Sequence, residues 1–346
     1  MKIAQVLTAS VGGIGRHVAS IAPRMLARGH EVRVFCPRLT AEAQGFEELG
    51  LEVYPLSRLD RAGGADVLHA HGYKAGGLAL PVTVVTRTPL VVTWHNAVLG
   101  SGRSATVARL LQRLVAHGAT LTLGASSDLV AEAQRLGARS ARLAPVAPPP
   151  VLAADPRDRT WTRAELGVGP GDTLVLTVAR LAPQKNLGLV LDIASGVRDR
   201  ADLRFVIVGE GPERPALERR IADDDLAVRL LGHRDALGPL LAAADVALLT
   251  STWEARALVA QEALLAGLPL VSTRVGGITE LVGDAALLFD LGDAAAAAQA
   301  LRRLADDTQE RERLREAGRR RAATWPDEDA VVDDLLATYA ALLDRA

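Results

Sequence analysis

Short apolar runs recur along this chain, each followed by a stretch in which apolar positions return every three or four residues. The first pattern belongs to strands covered on both faces and the second to amphipathic helices. In the first half, strands are expected near Lys2–Leu7, Glu31–Cys36, Glu52–Pro55, Asp66–His69, Leu90–Trp94, Thr120–Leu123 and Ala141–Ala144. Helices fill the gaps, among them Ile14–Arg28, Ser104–His117 and Ser127–Leu136. The rhythm then restarts, with strands near Leu174–Val178, Arg204–Val208, Val228–Leu231, Val246–Leu249, Leu270–Ser272 and Ala286–Phe289. Such alternation predicts an α/β chain of βαβ units with parallel sheets.

Between the halves lies Ala144–Val151, APVAPPPV. Pro148 to Pro150 offer no backbone donors and favour an extended path, which suits an interdomain linker. A proline-rich loop inside one domain fits less well, because the strand–helix rhythm begins afresh beyond it. Trp325-Pro326 marks a second break, before a last helix from about Asp327 to Ala341. The five-alanine run Ala294–Ala298 reads as helix interior, since alanine has the best helix propensity. The expected division is therefore residues 1–147, residues 148–326, and a terminal helical segment 327–346.

Composition narrows the function classes. At 346 residues the chain exceeds what one hydrophobic core usually serves. A formal net charge of −1 gives no electrostatic case for a nucleic-acid partner. Cys36 is the single cysteine, so no intrachain disulfide forms, which fits a reducing compartment. The first apolar stretch is broken at Gln5 and Thr8 and is too short for a secretory segment. No apolar run reaches the ~18–20 residues that span a bilayer. A cytoplasmic location is expected, either soluble or peripheral at the inner face of the membrane.

Four features fall at the carboxyl ends of expected strands, where open α/β sheets bind ligands. Gly12-Gly13-Ile14-Gly15 follows the first strand and opens a helix. It suits either an anion approached by backbone N–H groups or a tight strand–helix turn. It lacks the full Gly-x-Gly-x-x-Gly spacing, which argues against a nicotinamide dehydrogenase. Arg180-Leu181-Ala182-Pro183-Gln184-Lys185 places two cations after a strand, either to grip a diphosphate or as solvated loop charges. Glu254 and Glu262 are separated by seven residues; a helical segment would put their backbones about 12 Å apart. That span resembles the distance from a donor sugar to its nucleotide ribose, whose hydroxyls carboxylates can accept from. Two exposed glutamates on one helix is the plainer alternative.

The fourth feature is histidine. His69 and His71 alternate at a strand end and so share a face, while His95 ends another strand. No acidic or cysteine partners with zinc-like spacing accompany them, so no metal is expected. Contact of His95 with a sugar hydroxyl or leaving group is favoured, with one of His69 and His71 structural. His17, His30 and His117 read as surface or packing residues. Asp223-Asp224-Asp225 contains Asp-x-Asp but follows the helix-forming run Pro215–Ala222 and reads as a solvated helix end. Gly209-Glu210-Gly211-Pro212, between a strand and a helix, reads as a tight turn lining a nucleotide pocket.

Together these segments resemble the family-4 retaining glycosyltransferases of GT-B fold, the group 1 glycosyl transferases. The most specific stretch is Glu254–Leu281, EARALVAQEALLAGLPLVSTRVGGITEL. It is similar to the family's two glutamates eight positions apart, followed by Ala-Gly-x-Pro-x-Val and a Gly-Gly-x-x-Glu turn. VARLAPQKNL at Val178–Leu187 resembles the diphosphate loop, and GGIGRHV, LHAHG, VGEGPER and LGHRDAL recur in order. The resemblance implies two Rossmann-like domains facing across a deep cleft. Residues 1–147 would bind the acceptor and 148–326 the nucleotide sugar, with 327–346 packing back toward the first domain.

It further implies that Arg180 and Lys185 hold the donor diphosphate, Glu262 the ribose hydroxyls, and Glu254 the transferred sugar. Backbone amides near Leu258, with Val259 beside it, and near Gly12 and Gly13 would complete the phosphate cradle. Gly211 would line the nucleotide pocket, His233 and Arg234 would border the base, and His95 would approach the anomeric centre. No cofactor or divalent metal is implied, only a nucleotide-diphosphate-sugar donor and a sugar, lipid or small-molecule acceptor in carbohydrate or cell-envelope biosynthesis. The chain departs from the family at Glu254-Ala255-Arg256-Ala257, where Glu-Gly-Phe-Gly is usual, and lacks the usual Asn-Gly after the last strand of the first domain.

The expected reaction is transfer with retention of anomeric configuration, the cations stabilising the departing diphosphate. A nucleotide-sugar 2-epimerase and a non-catalytic nucleotide-sugar-binding protein are the alternatives. Arg103, Arg109 and Arg113 share an expected helix with Val107, Leu110, Leu111 and Leu114. Such a helix commonly packs its apolar side on the sheet; the other arrangement rests that side on an anionic membrane surface.

Overall fold

A computed structural model describes residues 1–10, 12–148 and 156–345. The chain divides into two compact units, Met1–Pro149 with Pro326–Ala346, and Pro150–Trp325. The sequence suggested divisions at 147/148 and 326/327. Pro149, Pro150 and Val151 of the expected linker lie outside the described residues.

The first unit carries strands β1 (Lys2–Leu7), β2 (Glu31–Phe35), β3 (Glu52–Tyr54), β4 (Val67–His71), β5 (Leu90–Trp94), β6 (Leu121–Gly124) and β7 (Ala141–Leu143). Between them run helices α1 (Gly13–Ala27), α2 (Arg38–Gln44), α3 (Tyr73–Thr86), α4 (Arg103–Gly118) and α5 (Ser127–Arg135). The strands form one sheet in the order β3-β2-β1-β4-β5-β6-β7. Every neighbouring pair is parallel. β4 and β5 are buried along their whole length, as central strands covered on both faces must be. β4 runs two residues beyond its expected end, because His71 stays paired with Leu7 on one side and Thr93 on the other.

The second unit begins with α6 (Pro156–Glu165) and continues through β8 (Thr173–Val178), α7 (Leu187–Gly196), β9 (Leu203–Val208), α8 (Arg214–Asp223), β10 (Val228–Leu230) and α9 (Gly238–Ala243). It is completed by β11 (Val246–Leu249), α10 (Leu258–Leu265), β12 (Leu270–Thr273), α11 (Ile278–Val282), β13 (Ala286–Phe289), α12 (Ala294–Asp306) and α13 (Thr308–Ala322). Its sheet is again parallel, in the order β10-β9-β8-β11-β12-β13. The twofold period of β9 shows how the core is shared. Leu203, Phe205 and Ile207 join one apolar cluster with Val190, Ile193 and Leu301, while Val206 and Val208 join another with Leu264 and Ile278.

Asp245 anchors the start of this sheet. Its carboxylate accepts from Leu174 N at 2.8 Å, Arg159 Nη2 at 2.6 Å and Arg163 Nη1 at 2.8 Å. Burial pushes its carboxyl up, but the backbone donor and the two guanidiniums outweigh that and hold it below the usual range.

The last helix, α14 (Glu328–Leu343), belongs to the first unit. Asp327 caps it, its side chain accepting from Ala330 N at 2.7 Å. Val331, Val332, Leu335 and Tyr339 enter the core of the first unit beside Val18, Ile21 and Met25. Ser20 Oγ donates to Glu328 at 2.6 Å, and Arg28 pairs with Asp329 at 2.8 Å and Asp333 at 3.1 Å.

Candidate active site

In open parallel sheets, ligands bind beyond the strand carboxyl ends where the strand order reverses. That point lies at β1, between β2 and β4, in the first sheet, and at β8, between β9 and β11, in the second. The loops leaving these strands hold the residues singled out by the sequence.

In the second unit, the loops after β8, β9 and β11 are stitched together. Leu181 N donates to Glu210 O at 2.9 Å and Glu213 N to Leu181 O at 3.1 Å. No side chain fits where they cross: a Cβ on Gly211 would lie 2.3 Å from Leu181 O, and one on Gly209 1.9 Å from Ala179 O. Gly209 also has φ +138°, which excludes L side chains independently. The glycines of Gly209-Glu210-Gly211 are thus fixed by the approach of the cation-bearing loop.

Lys185 ends a short 3-10 turn, and Asn186 follows with φ +49°, a conformation asparagine tolerates. Asn186 therefore caps α7, which starts at Leu187. Thr250 Oγ1 donates to Lys185 O at 3.0 Å, and Thr252 N to Gln184 O at 2.8 Å. These bonds aim Lys185 across to the loop after β11, where its Nζ meets Glu254 Oε1 at 2.5 Å. Arg180 is exposed at the start of the same loop, and its guanidinium makes no hydrogen bond or ion pair among the described residues.

Glu254 does not share a helix with Glu262. α10 begins at Leu258, and Glu254 to Ala257 precede it, so the expected span of about 12 Å along a helix does not apply. Gly277 N donates to Glu254 O at 2.8 Å, and Gly276, at φ +50°, approaches that oxygen so closely that a Cβ would lie 2.1 Å from it. Leu258 and Val259 form the first turn of α10 and Glu262 the next, half-buried. No side chain caps this helix, which leaves its leading N–H groups open to an anion. His233 and Arg234 are exposed after β10; His233 Nε2 lies 3.1 Å from Asp235, and Arg234 donates to His233 O. Their loop is tied to the glycine turn by Gly209 N donating to Gly232 O at 2.9 Å.

Arg256, at the departure from the family pattern, is half-buried, with its guanidinium 5.7 Å from the Trp325 ring and Nε donating to Gln261 Oε1 at 3.3 Å. Burial lowers its pKa to about 10. The guanidinium rests over an aromatic ring, which leaves a cation in the loop where the family has phenylalanine.

In the first unit, Gly12 caps α1 and Gly13 opens it. Gly15 N donates to Ser10 Oγ at 3.0 Å, and a Cβ on Gly15 would meet Gln44 at 2.7 Å. One turn further, His17 is buried and faces the strand ends. Its ring lies 5.7 Å from that of His71 and 5.5 Å from that of His95. His71 holds Gln5 Oε1 at 2.7 Å through Nε2, with Nδ1 3.2 Å from His95 Nε2. His69 lies between Thr93 at 2.6 Å and the Tyr339 hydroxyl at 2.5 Å.

His17 therefore belongs to the cluster, contrary to its expected place among surface or packing residues. Its position one turn into the helix that follows β1, the strand at the order reversal, was the signal available. Gln5 and Tyr339, which hold the cluster, gave no local signal. Burial keeps all four rings neutral, lowering His17 to about 4 and His69 to about 3, and His71 and His95 well below their ordinary value. Nitrogens of His17, His71 and His95 lie within 4.8 Å of one another, a grouping of metal-ligand type that sequence spacing did not reveal. His71 already commits Nε2 to Gln5.

Asp223 ends α8 as expected, and Asp224 accepts from Arg220 on the same helix.

Two Rossmann-like units of this strand order make up the GT-B class of glycosyltransferases. Comparison with known proteins agrees. The family model for glycosyl transferases group 1 matches residues 158–321, and that for the glycosyl transferase 4-like domain matches residues 12–149. A D-inositol 3-phosphate glycosyltransferase of Pseudarthrobacter chlorophenolicus is 32% identical over 85% of this chain and 75% of its own length. One from Geodermatophilus obscurus is 30% identical over 96% of this chain and 86% of its own. The crystal structure of Anabaena HepE in complex with UDP-glucose shares the fold, with a TM-score of 0.86, 21% identity, and coverage of 99% of this chain and 100% of that one. The chain belongs to the group 1 glycosyl transferases, of the family-4 type.

Proposed function

We propose that this glycosyltransferase moves a sugar from a nucleoside-diphosphate donor to a hydroxyl acceptor, with retention of configuration and without a divalent metal. The observation that carries the reading is the Lys185–Glu254 contact at the strand-order reversal of the second sheet, with exposed Arg180 on the same loop. A diphosphate competes with Glu254 for Lys185; once Lys185 turns to the phosphates, the carboxylate is released to accept hydrogen bonds from sugar hydroxyls. Arg180 adds a fork of donors, and the first turn of α10 at Leu258 and Val259 adds backbone N–H groups. Glu262, one turn along, takes the ribose hydroxyls, and Gly211, His233 and Arg234 border the nucleoside. For the first unit, the resemblance assigns Gly12 and Gly13 to phosphate binding and His95 to the sugar.

As the bond to the anomeric carbon breaks, negative charge grows on the leaving diphosphate, and Arg180 and Lys185 stabilise it. The acceptor hydroxyl attacks the face that the diphosphate leaves, and its proton passes to a departing phosphate oxygen. The names of the relatives suggest where to look for substrates: a UDP-sugar as donor and a phosphorylated polyol as acceptor.

Lys185→Ala should lower kcat by about 10²–10³-fold. Near-parental turnover in that variant would overturn the assignment. Proton NMR of the fresh product reads its anomeric configuration, and an inverted product would refute retention. Activity that collapses in EDTA and returns with a divalent ion would refute metal independence. Donor conversion that needs no acceptor would point to epimerisation.

A further inference from the structure

We propose that the outer face of α3 and α4 docks on an anionic lipid surface. The helices do pack on the sheet, but with mostly small residues inward. α3 buries Ala75, Gly76, Ala79 and Thr83, and α4 buries Ala105, Gln112, Val115 and Ala116. The bulky apolar residues point the other way: Val107, Leu110 and Leu114 are 66%, 67% and 60% exposed. On α3, Leu78, Val84 and Val85 are exposed as well. A helix whose only apolar partner is its own sheet places leucines inward and polar residues outward; these two turn bulky apolar residues outward beside the polar ones.

Of fourteen exposed large hydrophobic side chains among the described residues, seven fall between Leu78 and Leu114. That density marks an interaction surface rather than scattered exposure.

Charge identifies the occupant. Residues 67–127 contain no Asp or Glu, in a chain that has 41 of them. The same stretch carries Lys74, Arg87, Arg103, Arg109 and Arg113. All five are exposed, and none forms an ion pair among the described residues. Carboxylates on the neighbouring elements are engaged elsewhere, Asp60 with Arg58, Glu132 with Arg135, and Asp128 with Ser126 Oγ and Leu129 N. An apolar centre flanked by unpaired cations matches an interface of acyl chains beneath anionic headgroups. A second copy of this chain would set like charges against each other, and a nucleic acid would leave the apolar centre uncovered.

The test is flotation of the full-length chain with vesicles of phosphatidylcholine alone and vesicles rich in phosphatidylglycerol. The chain should float only with the anionic vesicles, and less so at high salt. Arg109→Ser with Arg113→Ser should weaken that binding about 30-fold, taking about 1 kcal/mol for each cation near the surface. Leu110→Ser with Leu114→Ser should abolish it, while both variants keep the parental melting temperature, since these side chains are exposed. Absence of flotation, equal flotation with neutral vesicles, or parental flotation of either variant overturns the proposal. So does a parental dimer in sedimentation that the leucine variant dissociates, which would make the face a contact between copies.

Discussion

Acidification should unfold the first unit before the second. Four buried rings, His17, His69, His71 and His95, are held neutral by desolvation, with His17 lowered to about 4, His69 to about 3 and the other two well below the ordinary value. In the unfolded chain each takes a proton near pH 6.5. Because the folded values are depressed, the stability they allow is fully present above pH 6.5 and is lost as pH falls toward the folded values. At pH 5 each ring that stays neutral in the fold forfeits about 2 kcal/mol, so four together forfeit about 8 kcal/mol. That equals the whole net stability of many domains. Carboxylates contribute little in this window, since they are protonated in the unfolded chain only below about pH 4. The second unit is an internal control, because His233 is its single histidine and is exposed.

The assay is urea unfolding at pH 7.5 and pH 5, with each unit followed by its own tryptophans. Trp94 reports the first unit, and Trp161, Trp253 and Trp325 report the second. The Trp94 midpoint should fall steeply while the others hold, and His17→Gln should remove about 2 kcal/mol of the pH effect. A Trp94 midpoint that does not move, or two units that shift together, would refute the desolvation argument.

Other outcomes follow from particular contacts. Gly211→Ala forces a methyl to within 2.3 Å of Leu181 O, so the cation-bearing loop must move. Thermal melts should show a loss of about 2–3 kcal/mol, with donor affinity measured by calorimetry falling as well. Tyr339→Phe removes the partner of His69 Nδ1 in a fully buried place, which should cost about 1–3 kcal/mol in the Trp94 urea midpoint. An unchanged midpoint would mean that the hydroxyl is not needed to satisfy His69.

The two sheets were legible because central parallel strands are buried on both faces and read as continuous apolar runs, as in Leu90–Trp94 and Leu174–Val178. The chemistry-bearing loops were legible because each follows directly from such a strand. The segment Glu254–Ala257 was not. Alanine, arginine and glutamate all favour helix, and composition extended α10 backward over them. The close approach of Gly276 and the Gly277 bond hold Glu254 out of helix, and those residues lie more than twenty positions away. The histidine cluster was half legible for the same reason. His69, His71 and His95 announce themselves on neighbouring strands, whereas Gln5, His17 and Tyr339 join them only through tertiary packing. Outward leucines on α4 were visible as a stripe, but the direction of the stripe depended on small residues having claimed the sheet side.

The return of α14 to the first unit governs the order in which a ribosome can deliver finished structure. Residues 150–325 are contiguous and can close their core as soon as they emerge. The amino-terminal part leaves the tunnel earlier but waits for Val332, Leu335 and Tyr339 to fill its core and give His69 its partner. The half synthesised first is therefore completed last, and a nascent chain halted before residue 328 exposes apolar surface to chaperones at its opposite end.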